Sequence, residues 1–251
     1  MSDVSDVSPV GGVSAVEPAE TVDVAIVGAG AAGLMTAIWA GRAEGQPAAR
    51  APLSIVLLDG ARTLGAKILV AGGGRCNVTH DVVDERAYAG STQPAIRKVL
   101  RRFDVEPTIR FFAERGVELK REETGKLFPV TDDARTVLNA LLNAAREAGA
   151  VIRHPRRVEA IERAAAGFLV RGAWGELAAR RVVLATGGMA LPKSGSDGAG
   201  YAFAARLGHS VTPAVFPALV PLLLPESHPL RELSGVTYQA EIRLYLSTGK
   251  I

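Results

Sequence analysis

The 251-residue sequence holds one cysteine, Cys76, so neither an intrachain disulfide nor a cysteine-cluster metal site is available to it, and a reducing, cytoplasmic compartment is expected. Histidines are nearly as few: His80, His154, His209 and His228 lie far apart and show no metal-ligand spacing such as H-E-x-x-H. A large charge surplus is also missing. Lys and Arg number 29 against 26 Asp and Glu, a net +3, which by itself calls for neither nucleic acid nor a membrane surface. Residues 1–20 carry Asp3, Asp6, Glu17 and Glu20 but no Lys or Arg; this excludes the basic start of a secretory signal and reads as a disordered tail. The uncharged stretch from Val24 to Gly41 reaches the length of a membrane span. Glycines at 28, 30, 33 and 41 interrupt it, three of them where a soluble turn needs them, so no span is expected.

What remains is an ordinary globular composition, 48% hydrophobic and 22% charged, with enough chain for one large domain or one domain plus part of another. Val22 to Val27 is short, apolar and β-branched, which predicts a buried strand. A glycine turn, a helix over Ala32 to Arg42, a loop over 41–52 and a second strand over Ser54 to Leu58 follow. Strand, turn, helix, strand is half of a doubly wound α/β unit. Residues 63–79 fit neither period and predict a long functional loop. Beyond it come helices at Gln93 to Phe103 and Glu106 to Arg115 with Asp104 as a cap between them. A hairpin over Val117 to Val130 turns at Glu123–Gly125, and a helix over Asp133 to Ala148 is capped by Thr131 or Asp132. Strands at 150–153, 157–163, 167–172 and 176–179 suggest a β-meander. A further buried strand, Arg181 to Ala185, runs into Thr186-Gly187-Gly188, and a short helix over Tyr201 to Leu207 stops at Gly208. Pro213, Pro217, Pro221, Pro225 and Pro229 exclude a regular helix in the last forty residues. There Val236 to Leu246 alternates like a strand whose return is missing, so the chain is expected to stop inside a domain.

Gly28-Ala29-Gly30-Ala31-Ala32-Gly33 is a G-x-G-x-x-G placed after a strand and before a helix, the context in which it binds dinucleotides rather than merely turning the chain. Gly28 permits the tight turn, Gly30 leaves room for pyrophosphate beside the backbone, and Gly33 lets helix and strand pack closely. The helix start offers unpaired N–H groups and a positive dipole end. Asp59, ending the second strand, is placed to accept from ribose hydroxyls. Helices, a strand cluster and then RVVLATGG, in place of further β-α units, suggest FAD rather than a nicotinamide cofactor as the bound dinucleotide.

GAKILVAGGGRCNVT (65–79), ETGKLFPVTDDA (123–134), VVLATGGMALPKSGSDGAGYAFAARLGH (182–209) and PALVPL (217–222) together make the chain similar to the BaiN-like bacterial family of NAD(P)/FAD-dependent oxidoreductases. The resemblance implies an α/β fold: an incomplete Rossmann-like FAD-binding domain with a β-meander over 21–210, then the truncated start of an inserted β-rich domain over 211–251. It implies an FAD-dependent oxidoreductase passing hydride or electrons between flavin and an organic small molecule, with NAD(P)H as the reductant. Two alternatives stay open, a flavin-dependent tRNA-modifying protein and an inactive flavoprotein fragment. Asp59 stands where the family more often has Glu.

Within 65–79, Gly72 to Asn77 would present successive N–H groups as an anion nest, with Lys67 and Arg75 neutralising phosphate. Gly73, Gly74, Arg75, Cys76 and Asn77 are therefore cofactor candidates, although Cys76, lacking a second cysteine, reads as a buried structural residue. Thr186, Gly187 and Gly188 end a core strand at the edge where α/β sheets bind ligands, and the backbone at Val158 would hold adenine. Ser196, Asp197 and Gly198 cap the following helix or lie near the flavin, and His80 and Tyr201 are possible proton donors. Arg97, Lys98, Arg101 and Arg102 form a basic helical face with no interleaved aromatic, which does not argue for nucleic acid. No residue identifies itself as the catalytic acid or base.

Overall fold

The computed structural model describes residues 20–42, 51–217, 224–233, 241, 243, 245–246 and 249–250. The expected tail before residue 20, most of the 41–52 loop, most of the PALVPL motif and most of the strand predicted over 236–246 lie outside them. In chain order the elements are β1 (Thr21–Val27), α1 (Ala31–Gly41), β2 (Ile55–Leu58), α2 (Ala66–Val70), β3 (Thr79–His80), α3 (Gln93–Leu100), α4 (Val105–Ala113), β4 (Leu119–Arg121) and β5 (Lys126–Pro129). Then come α5 (Ala134–Glu147), β6 (Ala150–Arg153), β7 (Ala160–Ala164), β8 (Gly167–Gly172), β9 (Gly175–Leu184), α6 (Ala199–Arg206), β10 (Tyr245–Leu246) and β11 (Gly249–Lys250). The chain divides into two compact units: Met1–Leu64 with Leu141–Gly187 and Gly198–Val211, and Gly65–Ala140 with Gly188–Asp197 and Thr212–Ile251.

The first unit is built on a mixed sheet of order β6-β2-β1-β9-β8-β7. β1 lies between β2 and β9 and is parallel to both, so both its faces are covered and its sequence is apolar nearly throughout, as is that of the fully buried β2. α1 turns Gly33, Leu34, Ala37 and Ile38 inward. Small residues there allow close approach: a Cβ on Gly41 would sit 2.1 Å from the Ala148 carbonyl oxygen. β7, β8 and β9 form the expected antiparallel meander, and Val27, Leu58, Val158, Val170 and Leu177 belong to one apolar core cluster. From β1 the chain builds β2 and β6 on one side and returns at β9 on the other. The strand order therefore reverses at β1, which opens a crevice at its C-terminal edge.

Two strand predictions need correction. The separate strands at 176–179 and 181–185 are one, β9, whose first half pairs with β8 and whose second half pairs with β1. The polar break that divided them in sequence is an exposed pair, of which Arg180 meets Asp23 at 3.0 Å, and Val182 to Leu184 are only partly buried. β7 begins at Ala160 rather than 157, because the Arg156 N–H donates to the Asp59 carbonyl (2.6 Å) and holds the preceding chain at the end of β2.

In the second unit β3, β5 and β4 form a small antiparallel sheet, and the hairpin turns where predicted, with the Gly125 N–H donating to the Glu122 carbonyl. Phe111 and Phe112 of α4 are buried edge to face at 5.2 Å. The loop predicted over 63–79 is corrected in part: Ala66–Val70 is helical, and a short 3-10 turn follows over Ala71–Gly74. Glycines around it obscure the helical period. α5, whose residues up to Ala140 belong to this unit and whose residues from Leu141 belong to the first, buries Val137, Leu138, Leu141, Leu142 and Ala145 at helical spacing. Its cap is Asp133, whose carboxylate accepts from the Arg135 N–H (2.8 Å), rather than Thr131 or Asp132. Asp104 occupies the N-cap of α4, but its side chain makes no capping bond. Among the described residues, no helix is long and apolar enough to cross a membrane, and Val24–Gly41 is β1, a turn and α1.

Candidate dinucleotide-binding site

The G-x-G-x-x-G turn sits at the C-terminal edge of β1. The Gly28 N–H donates to the Leu58 carbonyl and the Ala185 N–H to the Val27 carbonyl, both at 2.8 Å, which fastens the turn between the ends of β2 and β9. Gly28 has φ +105°, and a Cβ there would stand 2.4 Å from the Ala185 carbonyl oxygen; one on Gly33 would stand 1.9 Å from the Gly28 carbonyl oxygen. Both glycines are thus demanded by the fold. Gly30 is not. Its φ of −77° and ψ of −172° suit any residue, and a Cβ would meet nothing within 4 Å. The open cradle lies at the N-cap of α1, which has no side-chain cap and no acidic residue in its first turn. Ala31 and Ala32 are exposed beside it. Unpaired N–H groups, a positive dipole end and open space suit a diphosphate.

Asp59 has a second role that the sequence reading missed. One carboxylate oxygen accepts from the Ala29 N–H (2.6 Å) and the other from the Ala61 N–H (2.8 Å), so it ties the turn to the end of β2. Each oxygen keeps a lone pair for a ribose hydroxyl. Val158 is buried in the core of the same unit, leaving only its backbone for a ligand. Thr186 comes to the turn from far along the chain, its Cα 3.2 Å from where a Gly28 Cβ would be, and Gly187 follows it with φ +75°. Gly200 of α6 also belongs here, since its Cβ would fall 2.1 Å from the Thr186 hydroxyl oxygen. The Gly198-Ala199-Gly200 run that opens α6 was the signal for it. Gly198, with φ +83°, is the N-cap of α6 and makes no side-chain cap bond. Tyr201 is exposed.

Lys67, Gly73, Gly74, Arg75, Cys76, Asn77 and Gly188 belong to the second unit. Gly72 and Gly73 have left-handed backbone, and Gly74 (φ +88°) and Cys76 (φ +63°) flank a right-handed Arg75. This alternation makes a nest, but its mouth is filled: the Arg75 and Cys76 N–H groups both donate to the Ala71 carbonyl. The Arg75 guanidinium is also engaged, meeting Glu122 at 2.5 Å and Asp132 at 3.6 Å and lying 4.1 Å over the Phe128 ring. Cys76 is buried, and burial pushes its thiol pKa up. Lys67 and Asn77 are exposed. His80 is held by the Thr124 carbonyl (2.8 Å) and Asp81 (2.7 Å). Among the described residues no group of three His, Cys, Asp or Glu is placed to hold a metal ion.

The HI0933-like protein Rossmann domain family matches residues 22–243. The chain belongs to this family of FAD-dependent Rossmann flavoproteins. This HI0933-like chain is 37% identical over 223 residues to a 3-dehydro-bile acid delta(4,6)-reductase of Clostridium scindens, covering 89% of the chain and 52% of that protein. It is 29% identical over 222 residues to a ribosomal RNA dihydrouridine synthase of Escherichia coli, covering 88% and 53%. The chain thus spans about half the length of these relatives. In fold it is similar to the open conformation of a flavocytochrome c3 fumarate reductase, with a TM-score of 0.51 at 21% identity over 78% of this chain and 42% of that one.

Proposed function

We propose that this HI0933-like chain forms the FAD-binding part of a flavin-dependent reductase that saturates a carbon–carbon double bond conjugated with a carbonyl group. The observation that carries the cofactor is the cradle at Gly30, the one glycine of the fingerprint that packing does not require. The reaction class comes from the two relatives: a 3-oxo steroid with adjoining double bonds and the uracil ring are both conjugated enones. FAD, once bound and reduced by NAD(P)H, would supply hydride from its flavin N5. An enone substrate would gain that hydride at its β carbon and a proton from solvent at its α carbon.

Each residue has a task in this reading. The backbone at Gly30, Ala31 and Ala32, at the start of α1, holds the pyrophosphate, while the Ala29 N–H stays with Asp59. Asp59 uses its remaining lone pairs on the ribose, and the backbone at Val158 holds adenine. Thr186 and Gly187 line the crevice beside Gly28, and Gly188 continues that strand end. Lys67, Gly73, Gly74, Arg75, Cys76 and Asn77 are assigned to the cofactor on their motif alone. Because Arg75 is already fixed by Glu122 and Phe128, it would act as a positioned cation rather than a mobile one.

The test is anaerobic. The FAD-loaded protein is reduced, then offered a 3-oxo-Δ4 bile acid or a uridine-containing ribosomal RNA fragment while visible absorbance is followed. Reoxidation by the steroid with loss of its double bond supports the small-molecule reading. Failure to load FAD, or a reduced flavin indifferent to both compounds, overturns the proposal. RNA as the substrate is a second reading, favoured by the dihydrouridine synthase relatives; a uridine gaining two hydrogens in mass would select it.

A further inference from the structure

α3 buries none of its residues. Arg97, Lys98, Arg101 and Arg102 recur one turn apart on it and just past its end, all exposed, and with Pro94 they line a shallow concavity of about 360 Å³. Local acids do not neutralise them all. Glu85 pairs with Arg97 and Asp84 with Arg86, whereas Lys98, Arg101 and Arg102 have no acidic partner among the described residues. Like charges three and four residues apart destabilise a helix, and Glu85 together with the helix C-terminal dipole does not offset that cost in full. A polyanion would.

We infer that this face is a docking surface for the phosphate backbone of double-stranded RNA, an extension of the RNA reading given above. Arg forks match phosphate oxygens bidentately. No aromatic lines the concavity, so it offers no platform for unstacked bases, whereas A-form duplexes are gripped largely through phosphates and ribose hydroxyls. An anionic membrane fits less well. Surface-lying helices carry a broad apolar face, and on α3 only Val99 is a strongly exposed large hydrophobic.

The test is fluorescence anisotropy of the whole chain with a labelled RNA hairpin whose stem is about 16 base pairs, titrated across a range of KCl. A triple variant, Lys98→Glu, Arg101→Glu and Arg102→Glu, is expected to raise Kd about tenfold or more and to flatten the salt slope by roughly 2 to 3. The milder Lys98→Ala, Arg101→Ala and Arg102→Ala combination keeps helix propensity and should move both quantities the same way, which covers misfolding of the first. Arg135→Glu, an exposed charge change on α5, should leave Kd within about twofold. Wild-type binding that lacks salt dependence, binding unchanged in both triple variants, or equally tight binding to phosphatidylglycerol vesicles would each overturn the inference. FAD absorbance of the same samples reports separately on the flavin reading.

Discussion

A methyl group at Gly30 would meet no protein atom within 4 Å, whereas at Gly33 it would overlap a carbonyl oxygen at 1.9 Å. Gly30→Val should therefore cost no more than about 1 kcal/mol of stability in urea unfolding, the loss of an N-cap glycine, and weaken FAD binding on the order of a hundredfold, about 2.7 kcal/mol. Gly33→Ala should instead cost about 1 to 3 kcal/mol of stability by overpacking. The pair separates binding from folding within one turn. Asp59→Ala leaves the Ala29 and Ala61 N–H groups without their acceptor and should lower stability by about 1 to 3 kcal/mol as well as weaken FAD. Equal unfolding midpoints for Asp59→Ala and wild type would refute the tie. Cys76, buried with its thiol pKa raised, should react slowly with a thiol reagent at neutral pH and quickly in denaturant. Rapid native reaction would mean that the 71–77 turn opens.

At the scale of elements, the sheet of β3, β5 and β4 is laced by exposed ion pairs. Arg121 beside Asp81 and Lys120 beside Asp132 hold those carboxyl groups below their usual range. A carboxylate whose pKa falls on folding contributes stability above its unfolded value, about 3.9, and that contribution fades as pH falls through the lower folded value. Stability measured by urea unfolding should thus be flat from neutrality to about pH 5 and decline below about pH 4, modestly because these groups are solvated. A decline starting near neutrality would point to other groups. The elements read well wherever one period dominated. β1, α1 and β2 appear within a residue or so of their expected ends, whereas α2 was hidden by glycines and β9 was split by two arginines on a single strand.

For the whole molecule, FAD should stabilise by mass action, about 2.7 kcal/mol at a hundred times Kd, with no such shift in Gly30→Val; an equal shift in both would place the ligand elsewhere. The strand, glycine turn and helix at the start of the chain, the acid ending β2 and the meander were determined by sequence alone, because each rests on neighbours along the chain whose periodicity and turn chemistry are local. The company that each residue keeps was decided only by tertiary structure. Thr186 reaches Gly28 because pairing of β1 with β9 fixes a register across more than a hundred intervening residues, and α6 then packs Gly200 against it. Arg75 looks in sequence like a phosphate-seeking cation, yet it is engaged by Glu122 and Phe128, which the β4–β5 hairpin alone brings to it. Main-chain conformation is set by nearest neighbours, but the partner of a side chain is set by what folding carries to it from elsewhere.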